Sequence, residues 1–269
     1  CQFSPEYVIS IAPLAKWCGW PIVLWYTHRH AGCKLRLATL LAQRIVTASP
    51  ESFRISTPKL RVIGHGIDTE RFKPSHSSIR SQPIILAVGR LSPIKHYELL
   101  IDATAIIVQN CGHDHIRTRI VGGDEGNAPP AYAQQLQNRI DQAGLTEVIT
   151  LVGPVPHTQM VREYQNATVN INLCPTGGMD KAVLEGMAVG IPTVVRNMAF
   201  TSLLGNLSDM LVVQSEDAQV VASHILTVLT LSHAEKQRLG ETLRHIVSQT
   251  HNQKHLAERL AAVLKELLT

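Results

Sequence analysis

Long apolar runs are missing from this chain of 269 residues. No stretch approaches the ~18 apolar residues of a bilayer-crossing helix, so none reads as a transmembrane segment. Cysteine is scarce: Cys1, Cys18, Cys33, Cys111 and Cys174 are scattered, odd in number, and form no CxxC pair. That argues against a disulfide framework or a zinc site and fits a reduced, cytosolic protein. Aromatic residues make up 4%. There is no Lys/Arg block, and the formal net charge is only +4, so nucleic acid is not indicated as a partner. What remains is a weak pull toward anionic phosphate ligands or an acidic membrane surface. The opening CQFSPEYVIS has no initiator Met, basic start or small-residue cleavage site. It is expected to be the interior of a longer product, not a signal peptide.

What is present is a regular alternation of short apolar runs and amphipathic stretches. From about residue 83 the strand candidates are IILAV (84–88), IRTRIV (116–121), EVITLV (147–152), TVNINL (168–173), PTVV (192–195) and MLVV (210–213). Helices are expected between them at about 96–111, 130–143, 157–166, 181–189 and 217–230. Leu99, Leu100, Ala103, Ile106 and Ile107 form one helical face, with Gly112 placed for a C-terminal cap. Pro129 and Pro130 open the next helix and Gly144 closes it. Ser232 and Glu235 have capping-box spacing. The earlier part holds PIVLWY (21–26), KLRLATLLAQ (34–43) and RIVTAS (44–49), a strand-helix-strand unit. GHGIDTERFKP (64–74) reads as a loop and domain boundary. Strands alternating with helices predict an α/β fold with parallel sheets, whose ligands bind outside the carboxyl ends of the strands.

The chemistry-bearing residues fall at those ends. GRLSPIK (89–95) follows the first strand of the alternation. Gly89 exposes backbone N–H groups near a helix start, while Arg90 and Lys95 add a planar fork and a point charge that suit a diphosphate. Two solvated surface cations would read the same way. In TGGMDKAVLEGMAVGIP (176–192), Gly177 and Gly178 permit close backbone approach ahead of Met179 and Asp180. Glu185 stands among apolar neighbours on the following helix, where a carboxylate needs partners; ribose hydroxyls fit, and so would neighbouring backbone or a basic group. VGGDEGN (121–127), with Gly122, Gly123, Gly126, Asp124 and Glu125, is a third exit turn, more in keeping with a surface turn than a site. Gly153 in LVGPVP marks another exit, where a flat base could lie. In WYTHRH, His28 and His30 follow a buried-type strand without making a helical metal pair. No HExxH, triad order or P-loop occurs, and no metal ligand set is expected.

Taken in order, PKLRVIGHGIDTERFKP (58–74), ILAVGRLSPIKHYELLIDA (85–103), LVGPVP and DKAVLEGMAVGIPTVV (180–195) resemble the GT4 glycosyltransferases. The resemblance runs from about residue 21 to the end. It implies a GT-B fold of two Rossmann-like domains: an incomplete acceptor-side domain over 1–66, a nucleotide-sugar-binding domain over 67–250, and a C-terminal helix over 251–269 packing back toward the first. It also implies a retaining, metal-free transfer of a sugar from a nucleotide-diphosphate sugar to a glycan or lipid-linked acceptor. In that scheme Arg90 and Lys95 match the diphosphate contacts and His28 the histidine near the donor sugar. Gly178 and Met179 match the loop whose amides touch sugar and phosphate. Glu185 matches the second glutamate of EX7E, which binds ribose. Where the first glutamate stands in the family, this chain has Gly177, with Asp180 nearby as a substitute. No cofactor is implied, and the expected location is cytoplasmic, with peripheral association at the inner membrane surface as a further expectation. A nucleotide-binding module without activity and a sugar-nucleotide epimerase stay open as alternatives.

Overall fold

The chain folds by burying its short aliphatic runs as parallel strands between amphipathic helices. The computed structural model describes residues 1–2, 4–28, 30–75, 82–111, 116–123 and 131–268, without the side chains of Cys111 and Ala131. These divide into two units: Cys1–Asp68 with Gly177–Asp180 and Ser248–Thr269, and Thr69–Thr176 with Lys181–Val247.

In the first unit, α1 (Pro5–Trp17) leads to β1 (Val23–Trp25), α2 (Cys33–Leu41), β2 (Arg44–Thr47) and β3 (Leu60–Val62). The three strands form a parallel sheet in the order β1-β2-β3. One face packs Val8, Leu24, Tyr26, Leu35, Ala38 and Ile45 into a single cluster. On the other face, Val46 and Ile63 pack with Val263, Leu256 and Leu260 of α11 (Gln253–Lys265). Helix α1 is absent from the sequence expectations; Pro13 lies inside it, a residue that ordinarily argues against a helix interior. Lys59 donates to Thr39 O, Leu40 O and Ala42 O at 2.8–3.0 Å, placing a cation on the negative end of α2.

Two stretches of this unit are clasped side by side. Ile67 N–H donates to His251 O at 2.8 Å and Gln253 N–H to Ile67 O at 3.0 Å. His65 N–H donates to His251 Nδ1 at 2.9 Å, and Arg259 reaches Ile63 O and Thr250 O at 3.3 and 2.9 Å. His251 is 4% exposed. Burial first, then the neighbouring His65 and Arg259, pull its pKa down to about 4.

The second unit carries β4 (Ile84–Val88), α3 (Tyr97–Cys111), β5 (Arg117–Val121), α4 (Ala131–Gln142), β6 (Ile149–Gly153), α5 (Met160–Asn166) and β7 (Val169–Asn172). It continues through α6 (Lys181–Val189), β8 (Thr193–Val195), α7 (Thr201–Leu204), α8 (Ser208–Leu211), α9 (Ala218–Thr230) and α10 (His233–Thr250), the last running past Val247 into the first unit. Its parallel sheet has the order β6-β5-β4-β7-β8. The chain builds outward from β4 to β6, then returns to the other side of β4 as β7. That reversal opens a crevice at the carboxyl ends of β4 and β7. Central position explains β4, whose Ile85, Leu86 and Ala87 are buried. In α3, Ile101 and Val108 join Leu99, Leu100, Ala103 and Ile107 as buried residues, while Ile106 is only half-buried.

Two expectations change. MLVV is not a strand: Met210 and Leu211 end α8, and only Val212 bridges to Val195. A run of four apolar residues has no period that separates the two outcomes. The helix expected from residue 157 begins at Met160, leaving His157 in the preceding turn. The Ser232–Glu235 capping box is present: Ser232 N–H donates to Glu235 Oε2 at 2.8 Å, and Glu235 N–H donates back to Ser232 Oγ at 3.3 Å. Gly144, with φ of 68°, follows the end of α4. Gly112, Pro129, Pro130, Asp124, Glu125 and Gly126 lie outside the described residues.

Candidate functional site

In the second unit the strand exits are laced together by backbone. Gly89 N–H donates to Val121 O, Leu91 N–H to Gly123 O and Gly122 N–H to Gly153 O, at 2.8–3.0 Å. Gly122 is required by space: a Cβ there would lie 1.8 Å from Gly89 O. The 3-10 turn Pro93–Lys95 then ends at His96, whose φ of 52° and ψ of 45° are left-handed. A β-carbon pays about 1–2 kcal/mol for that conformation, and such strain clusters at functional sites.

The kink at His96 sends Lys95 back over the exit of β4. An added Cβ on Gly89 would stand 3.2 Å from Lys95 Cε and 3.5 Å from Nζ. Tyr97 OH donates to Gly89 O at 2.9 Å and holds the loop. Lys95 and Tyr97 line a small cavity with Ala87, Val88, Ile171 and Asn172, at the point where the strand order reverses. Arg90 is exposed next to Gly89. A half-buried amine folded over a glycine exit can receive an anionic group.

Glu185 belongs to the same unit, on α6, and its side chain is 12% exposed. Its Oε1 lies 3.0 Å from His157 Nε2. Its Oε2 is 3.2 Å from Tyr164 OH, which also stands 2.9 Å from Ala182 O. The basic partner of this carboxylate is therefore a histidine that no sequence motif marks. His157 is itself held: Arg71 Nη2 donates to His157 O at 2.6 Å, Nη1 approaches Nδ1 at 3.5 Å, and the ring packs on Phe72 at 5.4 Å between centroids.

The remaining predicted residues fall in the first unit. His28 is exposed at the exit of β1, edge-on to Tyr26 at 5.5 Å. With His30, Glu6 and Lys34 it lines a cavity of about 530 Å³. Glu6, bonded to Ser4 and Lys34, has its carboxyl held down at about 2. The glycine loop packs beside this exit, since a Cβ on Gly178 would meet Ser52 Oγ at 2.7 Å and Thr27 O at 3.3 Å. Met179 is buried and Asp180 half-buried. Gly177 has φ of 105°, so a glutamate in its place would be strained although the space around it is open. Within one unit the structure thus brings the His28 exit to Gly178; within the other it brings Lys95 to Gly89 and His157 to Glu185. Among the described residues, no group of three or more His, Cys, Asp or Glu side chains is arranged to hold a metal ion. No described helix is long and apolar enough to cross a membrane.

Comparison with known proteins agrees with this architecture. The lipopolysaccharide core biosynthesis mannosyltransferase LpsB of Rhizobium meliloti is 25% identical over 257 residues, 90% of this chain and 70% of its own. A D-inositol 3-phosphate glycosyltransferase of Kribbella flavida is 30% identical over 51% of this chain and 34% of its own. Mannosylfructose-phosphate synthase of Agrobacterium fabrum is 24% identical over 62% of this chain, so the match spans 38% of that relative's length. Among solved structures, Anabaena HepE with UDP and glucose superposes with a TM-score of 0.81 at 18% identity, covering 98% of this chain and 76% of its own. Sucrose-phosphate synthase of Thermosynechococcus elongatus gives 0.76 at 18%, covering 98% and 78%. These neighbours have the GT-B fold, and the parallel sheets described above are of that type. The model of the family described as glycosyl transferases group 1 matches residues 82–231, more than half of the sequence, and the chain belongs to that family.

Proposed function

We propose that this chain forms the donor-binding part of a retaining glycosyltransferase that moves a sugar from a nucleotide-diphosphate sugar to a glycan or lipid-linked acceptor. The observation that carries the reading is Lys95, folded over the Gly89 exit at the reversal point of the sheet that also carries the helix bearing Glu185. Family membership supports it, as do a mannosyltransferase of lipopolysaccharide core biosynthesis among the relatives and UDP in the HepE structures.

In this reading Arg90 and Lys95 meet the diphosphate and stabilise the charge that collects there as the bond from the sugar's anomeric carbon to the β-phosphate oxygen breaks. A bond from the acceptor oxygen to the same carbon forms on the face the leaving group departs from. The acceptor's proton passes to the β-phosphate oxygen, so configuration is retained and the products are glycoside and nucleoside diphosphate. Glu185 accepts hydrogen bonds from the ribose hydroxyls, and Gly153 lies against the base. Gly178, Met179, Asp180 and His28 belong to the first unit, and their roles toward the sugar rest on the family resemblance alone. The test is release of nucleoside diphosphate from UDP-glucose and from its guanosine and adenosine counterparts. Release from none of them, with or without acceptor, would end the transferase reading. A second reading, a nucleotide-binding module without transfer, is favoured by Gly177, whose backbone is unsuited to the family's glutamate. Tight nucleotide binding without release would select it.

A further inference from the structure

We infer that His157 is a positioning residue that, with Tyr164, prepares Glu185 to accept a vicinal diol and so makes the site select ribonucleotides over 2′-deoxyribonucleotides. The inference rests on the ribose role proposed for Glu185.

An ionised carboxylate has about four lone-pair sites on its two oxygens. In Glu185 one oxygen faces His157 Nε2 at 3.0 Å and the other Tyr164 OH at 3.2 Å. Each oxygen thus keeps a lone pair for an incoming donor, and the side chain is 12% exposed. Two adjacent hydroxyls on one sugar ring supply two parallel donors at the right separation for such a pair of oxygens. A single hydroxyl leaves one of them unmatched, and an unmatched buried acceptor is costly.

The direction of the His157 bond follows from its surroundings. An ionised carboxylate can only accept, so at 3.0 Å it is His157 Nε2 that donates to Glu185 Oε1. Arg71 Nη2 fixes the backbone of His157 at 2.6 Å, and the ring lies tilted against Phe72. Yet the imidazole is 63% exposed. A side chain so open gives little to the core, while its one well-formed side-chain bond goes to the carboxylate.

The experiment is calorimetric titration of the full chain and its variants with UDP, GDP and ADP and the 2′-deoxy forms of whichever binds. His157→Ala should weaken ribonucleotide binding roughly three- to tenfold, about the net worth of one ordinary hydrogen bond, and narrow the gap between ribo and deoxy ligands. His157→Gln, whose amide nitrogen can replace Nε2, should restore both; a merely structural role would not predict that rescue. Equal affinities and an unchanged gap in His157→Ala, with Glu185→Ala still defective, would overturn the role of His157 alone. Glu185→Ala with unchanged ribonucleotide affinity would overturn the ribose assignment and this inference with it. Failure of all three nucleotides to bind would do the same.

Discussion

One histidine from each unit is handled in the opposite way to the other. In the first, His251 is sealed between two stretches of backbone and kept neutral, its Nδ1 spent on the N–H of His65. In the second, His157 stands mostly in water and leans on a carboxylate beside it. A dry histidine holds backbone together and becomes a liability in acid. A wet one contributes little to stability and is available to a ligand. The same contrast separates Lys59, whose three carbonyl acceptors make it a helix cap, from Lys95, which folds over a glycine at the sheet's reversal point.

This division can be broken by experiment. Lys95→Ala should reduce nucleoside diphosphate release by about 10²–10³-fold, the range for removing one donor that stabilises developing charge, while leaving thermal unfolding nearly unchanged. Normal turnover would remove the phosphate role. Next comes acid stability. With the folded pKa of His251 near 4 and its unfolded value near 6.5, the unfolded chain binds the extra proton between those values. Stability from this group is complete above pH 6.5 and is lost as the pH falls toward 4, by about 2–4 kcal/mol. Urea titrations across that window should show the fall, and His251→Asn, which can still accept from His65, should flatten it. Glu185→Ala should weaken nucleotide binding by about 1–3 kcal/mol in calorimetry. Smallest is Glu266→Ala. Its surface pairs with Arg44 and Arg61, at 3.2 and 3.5 Å, should be worth no more than about 0.5 kcal/mol in chemical denaturation.

Where the sequence was readable, it was so because the signal is local. The aliphatic runs at 84–88 and 117–121 become strands, Ser232 and Glu235 cap α10, and Gly144 follows α4. The exits bearing Gly89, Arg90, Lys95 and Gly153 follow from counting strands, and the helix bearing Glu185 from its apolar period. MLVV was misread because a four-residue run fits strand or helix equally well. Helix α1 is not among the sequence expectations, and Pro13 stands inside it.

What surrounds the candidate site was not legible in this way. His157 meets Glu185 across 28 residues and Tyr164 meets it across 21, separations over which no spacing rule operates. The left-handed turn at His96, which aims Lys95, has no glycine to announce it. By itself the sequence determined the alternation of elements, their main caps and the residue types at each strand exit, since those depend on neighbours within a few positions. Only the tertiary structure decided which exits lie side by side and which side chains complete Glu185. Those contacts follow from the order in which strands join the sheet, a property of the packed chain as a whole.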